Sequence, residues 1–240
     1  MAATKGDAEV QGKASIVDDF MYGSNVATAH IYIRLGFLRK VYGILATQLL
    51  LTTLVGAVFM MNESVKLYVQ HSSWMLMFAF IGTLGLLMAL MVKRHETPIN
   101  YILLAAFTLF EGYTVGVIVT FYDVAVVIEA LALTCGVTVA LTIYTFQSKR
   151  DFSSWGAGLF SFLWILIIAG FLQILVPSPM MDKAIAVGGA VVFSLFIIFD
   201  THLMMHKLSP EEYIVASINL YLDILNLFLF ILRILGERKS

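Results

Sequence analysis

Residues 183–235 read KAIAVGGAVVFSLFIIFDTHLMMHKLSPEEYIVASINLYLDILNLFLFILRIL. Two apolar runs, 183–206 and 212–235, flank Ser209-Pro210-Glu211-Glu212. Each run has the roughly 20 residues that a helix needs to cross about 30 Å of hydrocarbon. The tetrapeptide between them has the pattern of a helix start, with Ser as N-cap, Pro at the first position and Glu at the third. The pattern predicts two antiparallel helices joined by a tight turn. Asp200 and Asp223 lie equally far from that turn along the sequence. At about 1.5 Å of rise per residue, both carboxylates then sit roughly 15 Å from the turn, at one depth.

Working outward, the same kind of run recurs at 41–61, 75–92, 99–120, 124–146 and 155–176. The connections are short: a boundary near Pro98, Phe121-Tyr122-Asp123, Gln147 to Ser154, and Pro177-Ser178-Pro179. Short connections make sequential helices antiparallel neighbours. The expected fold is therefore an all-α integral membrane protein, a seven-helix bundle over 41–235. A tail of residues 1–40 precedes it and a short polar tail, 236–240, follows.

Composition supports a membrane solvent. Of the 240 residues, 60% are hydrophobic and 13% charged; soluble domains run at roughly 45–50% and about 25%. Mean hydropathy is +0.90. The net charge of −1 offers no basic surface for nucleic acid. A single cysteine, Cys135, excludes an intramolecular disulfide and a Cys/His zinc site. Residues 1–40 carry Asp7, Glu9, Asp18 and Asp19 without an early apolar run, so no cleavable signal peptide is expected there.

Basic residues in short loops set orientation. With the amino terminus in the cytosol, Lys5, Lys13, Arg34, Arg39, Lys40, Lys93, Arg94, Lys149, Arg150 and Lys207 all face the cytosol. Only Lys66 and Lys183 fall in the opposite loops. Arg233, Arg238 and Lys239 are awkward, because seven full spans put them on the far side. Two arrangements satisfy the sequence: a seventh span that crosses despite them, or six spans plus a re-entrant seventh helix. Ser24–Lys40 is mildly amphipathic, as for a segment on the cytosolic membrane surface. Asn62-Glu63-Ser64 matches a glycosylation acceptor next to the first span.

Ionisable groups inside a bilayer are costly and point to function. Four carboxylates fall within the spans: Glu111, Glu129, Asp200 and Asp223. Asp200 and Asp223 are the informative pair. Two close carboxylates in low dielectric do not both ionise cheaply, so they share a proton and form a pH switch. Losing that proton creates a repulsion that a nearby cation relieves, with Arg94 and Ca²⁺ as candidates. Oxygen ligands suit Ca²⁺, making Asp200 and Asp223 its transient contacts. The bland alternative is that each Asp only hydrogen-bonds Ser, Asn or backbone. Glu212, Asn219, Asp223 and Asn226 share one helical stripe, facing protein or water. Glu111 and Glu129 fit a water-filled path or packed, protonated acids equally well. Gly112 and Gly116 form a GxxxG, a motif of close helix packing or dimerisation. His202 and His206 lack an evident third metal ligand and fit snorkelling beside Lys207 better.

The segments Asp18–Ser24, Phe37–Tyr42, Val119–Asp123, Tyr144–Phe152, Phe199–His202, His206–Tyr213 and Leu220–Phe228 together resemble the Bax-inhibitor-1 superfamily, lifeguard branch. The resemblance covers about residue 15 to the end. It implies a pH-sensitive Ca²⁺ leak in Golgi and endoplasmic reticulum membranes that dampens inositol-trisphosphate-receptor release and protects against apoptosis. That receptor and apoptosis regulators become the implied partners besides membrane lipid. No cofactor is implied, Ca²⁺ being the permeant ion. The family's paired acids fall on Asp200 and Asp223. The basic residue that pairs with the sixth-helix acid falls on Arg94, and Glu211 or Glu212 matches an acid linked to conduction. The carry-over to Glu111 is looser.

The expected function is thus a cation leak rather than an enzyme. A non-conducting scaffold is the alternative. An intramembrane aspartyl protease also needs two Asp on neighbouring helices, but Tyr221-Leu222-Asp223 lacks the glycines of such enzymes and no Pro-Ala-Leu occurs.

Overall fold

The computed structural model describes residues 26–27 and 31–236. Most of the 1–40 tail, the Asp18–Ser24 segment, the start of the amphipathic Ser24–Lys40 stretch, and 237–240 of the final tail lie outside those residues. The described chain is all helix: α1 Ile31–Met61, α2 Glu63–His71, α3 Ser73–Lys93, α4 Ile99–Val119, α5 Val124–Gln147, a 3-10 turn Ser153–Trp155, α6 Gly156–Leu175, α7 Pro179–His206 and α8 Tyr213–Leu235. All but α2 are long and apolar enough to cross a membrane.

The bundle is built around α8. It packs against α1, α5 and α7 and touches α4, while α3 lies outside on α4 and α6 outside on α7. Burial follows that order. Twelve residues of α8 are buried, from Ile214 to Leu232, but only Leu159 on α6. The outward surface is apolar instead, with Trp74, Met88, Phe171 and Leu175 exposed. In water such a surface would be a liability; in lipid it is the solvated face.

Three local differences from the sequence reading have plain causes. The first helix starts at Ile31, ten residues before the predicted span, because basic Arg34, Arg39 and Lys40 lower hydropathy without breaking a helix. A nine-residue helix, α2, follows it, and the Asn62 side chain caps that helix by accepting the Val65 N–H at 3.2 Å. The predicted N-cap Ser209 closes a turn instead: its hydroxyl accepts the Glu211 N–H at 3.4 Å and its carbonyl the Glu212 N–H at 3.0 Å, and α8 begins at Tyr213.

The last helix has the length and apolarity of a full span. α8 is one unbroken 23-residue helix. Near its end Arg233 is ion-paired with Asp182, in the first turn of α7. The last helix therefore runs most of the length of its neighbour, and the awkward cation is neutralised locally. Gly112 and Gly116 face α1. A Cβ on Gly116 would lie 2.9 Å from the Phe59 ring, and one on Gly112 3.5 Å from the Thr52 backbone.

Candidate functional site

The paired acids meet inside the bundle. The Asp200 carboxyl on α7 lies within hydrogen-bonding reach of the Asp223 carboxyl on α8, and of the Asn219 side chain one turn earlier on α8. Asp223 is 5% exposed, and its Oδ2 is enclosed with no hydrogen-bond partner among the described residues. Two carboxyls in contact need a proton between them, while the Asn219 amide supplies a donor. Asp200 lies six residues from the end of α7 and Asp223 ten from the start of α8. The non-helical segment 207–212 takes up that inequality, so the shared depth survives the later start of α8.

A separate polar seam joins α1 and α4 to the face of α8 that points away from the pair. Gln48 donates to Thr108 Oγ1 at 3.1 Å. One turn on, Thr52 Oγ1 and the Tyr221 hydroxyl are 2.6 Å apart, both buried. Glu111, half-buried on α4, interacts electrostatically with Tyr221, two residues from Asp223. The sequence reading singled out Glu111 but not Gln48, Thr52 or Tyr221. The available signal was Gln48 itself, the only carboxamide in the 41–61 span.

Other expected site residues sit elsewhere. Arg94 does not reach the acid pair: its Nε lies 3.0 Å from Glu212 Oε2, with His95 Nε2 3.3 Å from Glu212 Oε1. The reason is position. Arg94 caps α3, which packs on α4 rather than α7. Asn100 ties this cluster to α8 by donating to the Arg94 carbonyl at 3.0 Å and the Tyr213 hydroxyl at 3.2 Å. Lys40 lies over the Tyr213 ring, 3.3 Å from its centroid. Glu211 is exposed in the turn, Glu129 is exposed on the outer face of α5, and Asn226 turns back to its own helix at Leu222 O, 2.8 Å away.

His202 does not snorkel. It is buried, and its Nε2 lies 3.0 Å from Asp151 Oδ1 in the α5–α6 connection. Phe152, 1% exposed, packs edge-on against the same imidazole. The side-chain and backbone donors of Ser153 hold the Asp151 carboxyl down at about 2. Thus the segment after α5 is pinned on α7 two residues beyond Asp200. Among the described residues no group of three His, Cys, Asp or Glu side chains is placed to hold a metal ion.

At the opposite end of the bundle a cavity of about 940 Å³ opens between α4, α7 and α8, with Asp182, Lys183, Arg233 and Tyr122 on its wall. The arrangement is an acid pair between α7 and α8 with Asp223 buried, a polar seam between α1, α4 and α8, and a cavity at the opposite end of the bundle.

The family described as inhibitor of apoptosis-promoting Bax1 matches residues 34–240. The Golgi anti-apoptotic protein of vaccinia virus (strain Lister) is 53% identical over 222 residues, covering 92% of this chain and 94% of that protein. Protein lifeguard 4 of Mus musculus is 51% identical over 223 residues, covering 93% and 94%. Bax inhibitor 1 of Schizosaccharomyces pombe is 45% identical over 225 residues, covering 93% and 85%.

Proposed function

The chain belongs to the Bax-inhibitor-1 family, and on that footing we propose that it is a pH-sensitive Ca²⁺ leak of Golgi and endoplasmic reticulum membranes that inhibits apoptosis. The anti-apoptotic and Golgi parts rest on what its relatives are called. The leak rests on one observation: an acid pair between the two most closely packed helices, its Asp223 member buried.

In the shared-proton state the pair holds α8 against α7 and the path is closed. When the proton leaves, two carboxylates face each other in low dielectric, and their repulsion is relieved by a cation or by movement of α8. Ca²⁺, a hard cation that takes oxygen ligands, fits that role as cargo. With the basic end in the cytosol, the 940 Å³ cavity is the luminal vestibule. Lowered store filling would then dampen inositol-trisphosphate-receptor release without direct binding of that receptor. No catalytic step is assigned.

The test is Ca²⁺ flux into dye-loaded liposomes carrying the purified protein, read across pH. Flux that rises as the pair deprotonates supports the leak. No flux at any pH would leave the second reading, a scaffold that binds channels or apoptotic factors. Cleavage of a membrane peptide that either Asp→Asn change abolishes would make the pair catalytic instead.

A further inference from the structure

Tyr221 and Asp223 stand two residues apart on α8, about 200° around its axis, so they meet opposite neighbours. Asp223 looks to α7, and on the same face Phe230 stacks on Phe193 of that helix, ring centroids 5.8 Å apart. Tyr221 is fully buried and looks the other way. Its hydroxyl lies 2.6 Å from Thr52 Oγ1 on α1, and its ring packs edge-on against Phe107 on α4.

Thr52 fixes the direction of that bond. Its hydroxyl proton goes to the Gln48 carbonyl, 2.9 Å away, so its lone pairs accept and Tyr221 donates. The socket has little slack. α4 approaches α1 so closely that a Cβ on Gly112 would lie 3.5 Å from the Thr52 backbone.

This packing limits how α8 can answer repulsion between Asp200 and Asp223. It has no room to back away from α7 as a rigid rod, so it yields by turning or sliding. Either motion parts a short, directional bond on its far side. Tyr221 sits roughly 12 Å along α8 from its first residue, at the depth of the acids. The Arg94–Glu212 ion pair sits at the base, where the helix pivots, and stays closed.

We propose that Tyr221, clamped to Thr52, is the positioning residue that holds Asp223 against Asp200 and sets how readily α8 moves when the acids lose their proton. The clamp rests on the reading of the acid pair as the switch of the leak. Among the described residues, the titratable groups acting on these side chains are Glu111 on α4, toward Tyr221, and Asp200 on α7, toward Asp223.

The test reads the full-length protein in liposomes twice between pH 5 and 8. One reading is Ca²⁺ flux; the other is the distance between spin labels at Met61 on α1 and Ile234 on α8, in a Cys135→Ser background. Both label sites are exposed, at the ends of their helices. Tyr221→Phe, which deletes one oxygen, should move both midpoints to lower pH by roughly half to one unit, a three- to tenfold change in the moved population. Thr52→Val should give the same shift and the double variant no more, while Thr52→Ser, which keeps the hydroxyl, should behave as native. In a Glu111→Gln background the Tyr221→Phe shift should persist. Lower melting with an unmoved distance midpoint in Tyr221→Phe and Thr52→Val would make the bond merely structural and overturn the clamp. Additive shifts in the double variant, or a shift that Glu111→Gln removes, overturn it too. A native distance that never changes with pH does so whatever the flux shows. Distance midpoints that shift as expected while the native chain passes no Ca²⁺ would instead keep the clamp and remove the leak.

Discussion

Arg94 Nε and Glu212 Oε2 are 3.0 Å apart, and Glu212 is the residue from which α8 departs. The ion pair thus fastens the end of α3 to the base of the helix that carries Asp223, without touching the acid pair. Both side chains are partly exposed, so Arg94→Gln should cost under about 1 kcal/mol of stability. It should change the size of the Ca²⁺ flux by loosening α8 but leave the midpoint of its pH dependence in place. A midpoint displaced by about one pH unit would put Arg94 in direct electrostatic contact with the acids.

Asp182 and Arg233 close the other end of the α7–α8 pair. Asp182→Asn leaves a guanidinium unpaired at an apolar helix end and should lower the melting temperature in detergent. Arg233→Gln should lower it less, because a neutral amide tolerates that site. The charge-swapped double variant should recover part of the loss; recovery of nothing would mean that the pair carries no interaction energy.

The Asp151–His202 contact gives a pH dependence whose sign is fixed. Asp151 is held at about 2, below an ordinary carboxyl near 3.9, so its contribution is fully present above the ordinary value. It disappears only as pH falls from about 4 to about 2. Ser153, His202 and Lys207 act on the Asp151 carboxyl, and His206 stacks on His202. Trp155 fluorescence, which reads the Phe152 packing, should therefore change below pH 4 in the native chain. Asp151→Asn should remove that acid limb. If the limb persists in Asp151→Asn, another group anchors the segment.

Gly116 lies against Phe59, where an added Cβ would come within 2.9 Å. Gly116→Leu should destabilise the single chain by about 1–3 kcal/mol through overpacking, seen as earlier melting, while cross-linking patterns stay as they were. A change in oligomer distribution with unchanged melting would return the GxxxG to an intermolecular role.

How much of this was legible in the sequence follows from what a bilayer demands. Runs such as 99–120 and 124–146 stood out because lipid imposes about 20 apolar residues per crossing. The helix before residue 41 did not, since Arg39 and Lys40 extend it into the interface, where apolarity is no longer required. α2, at nine residues with a polar face, carries no spanning signal at all. Asp200 and Asp223 were found because a turn with its own signature fixed their relative depth. The partner of Arg94 was not, because no local pattern links the end of α3 to the turn before α8. Glu129 was misleading for a related reason: when both faces of a helix are apolar, periodicity does not say which one meets lipid.

The proton shared by Asp200 and Asp223 is the central claim, and Ca²⁺ flux through Asp223→Asn in liposomes, titrated from pH 5 to 8, tests it most directly. In the native chain flux should rise with pH as the shared proton is lost. In Asp223→Asn, which has no second carboxylate to repel the first, the curve should flatten. A mutant curve that matches the native one in shape and midpoint would contradict it.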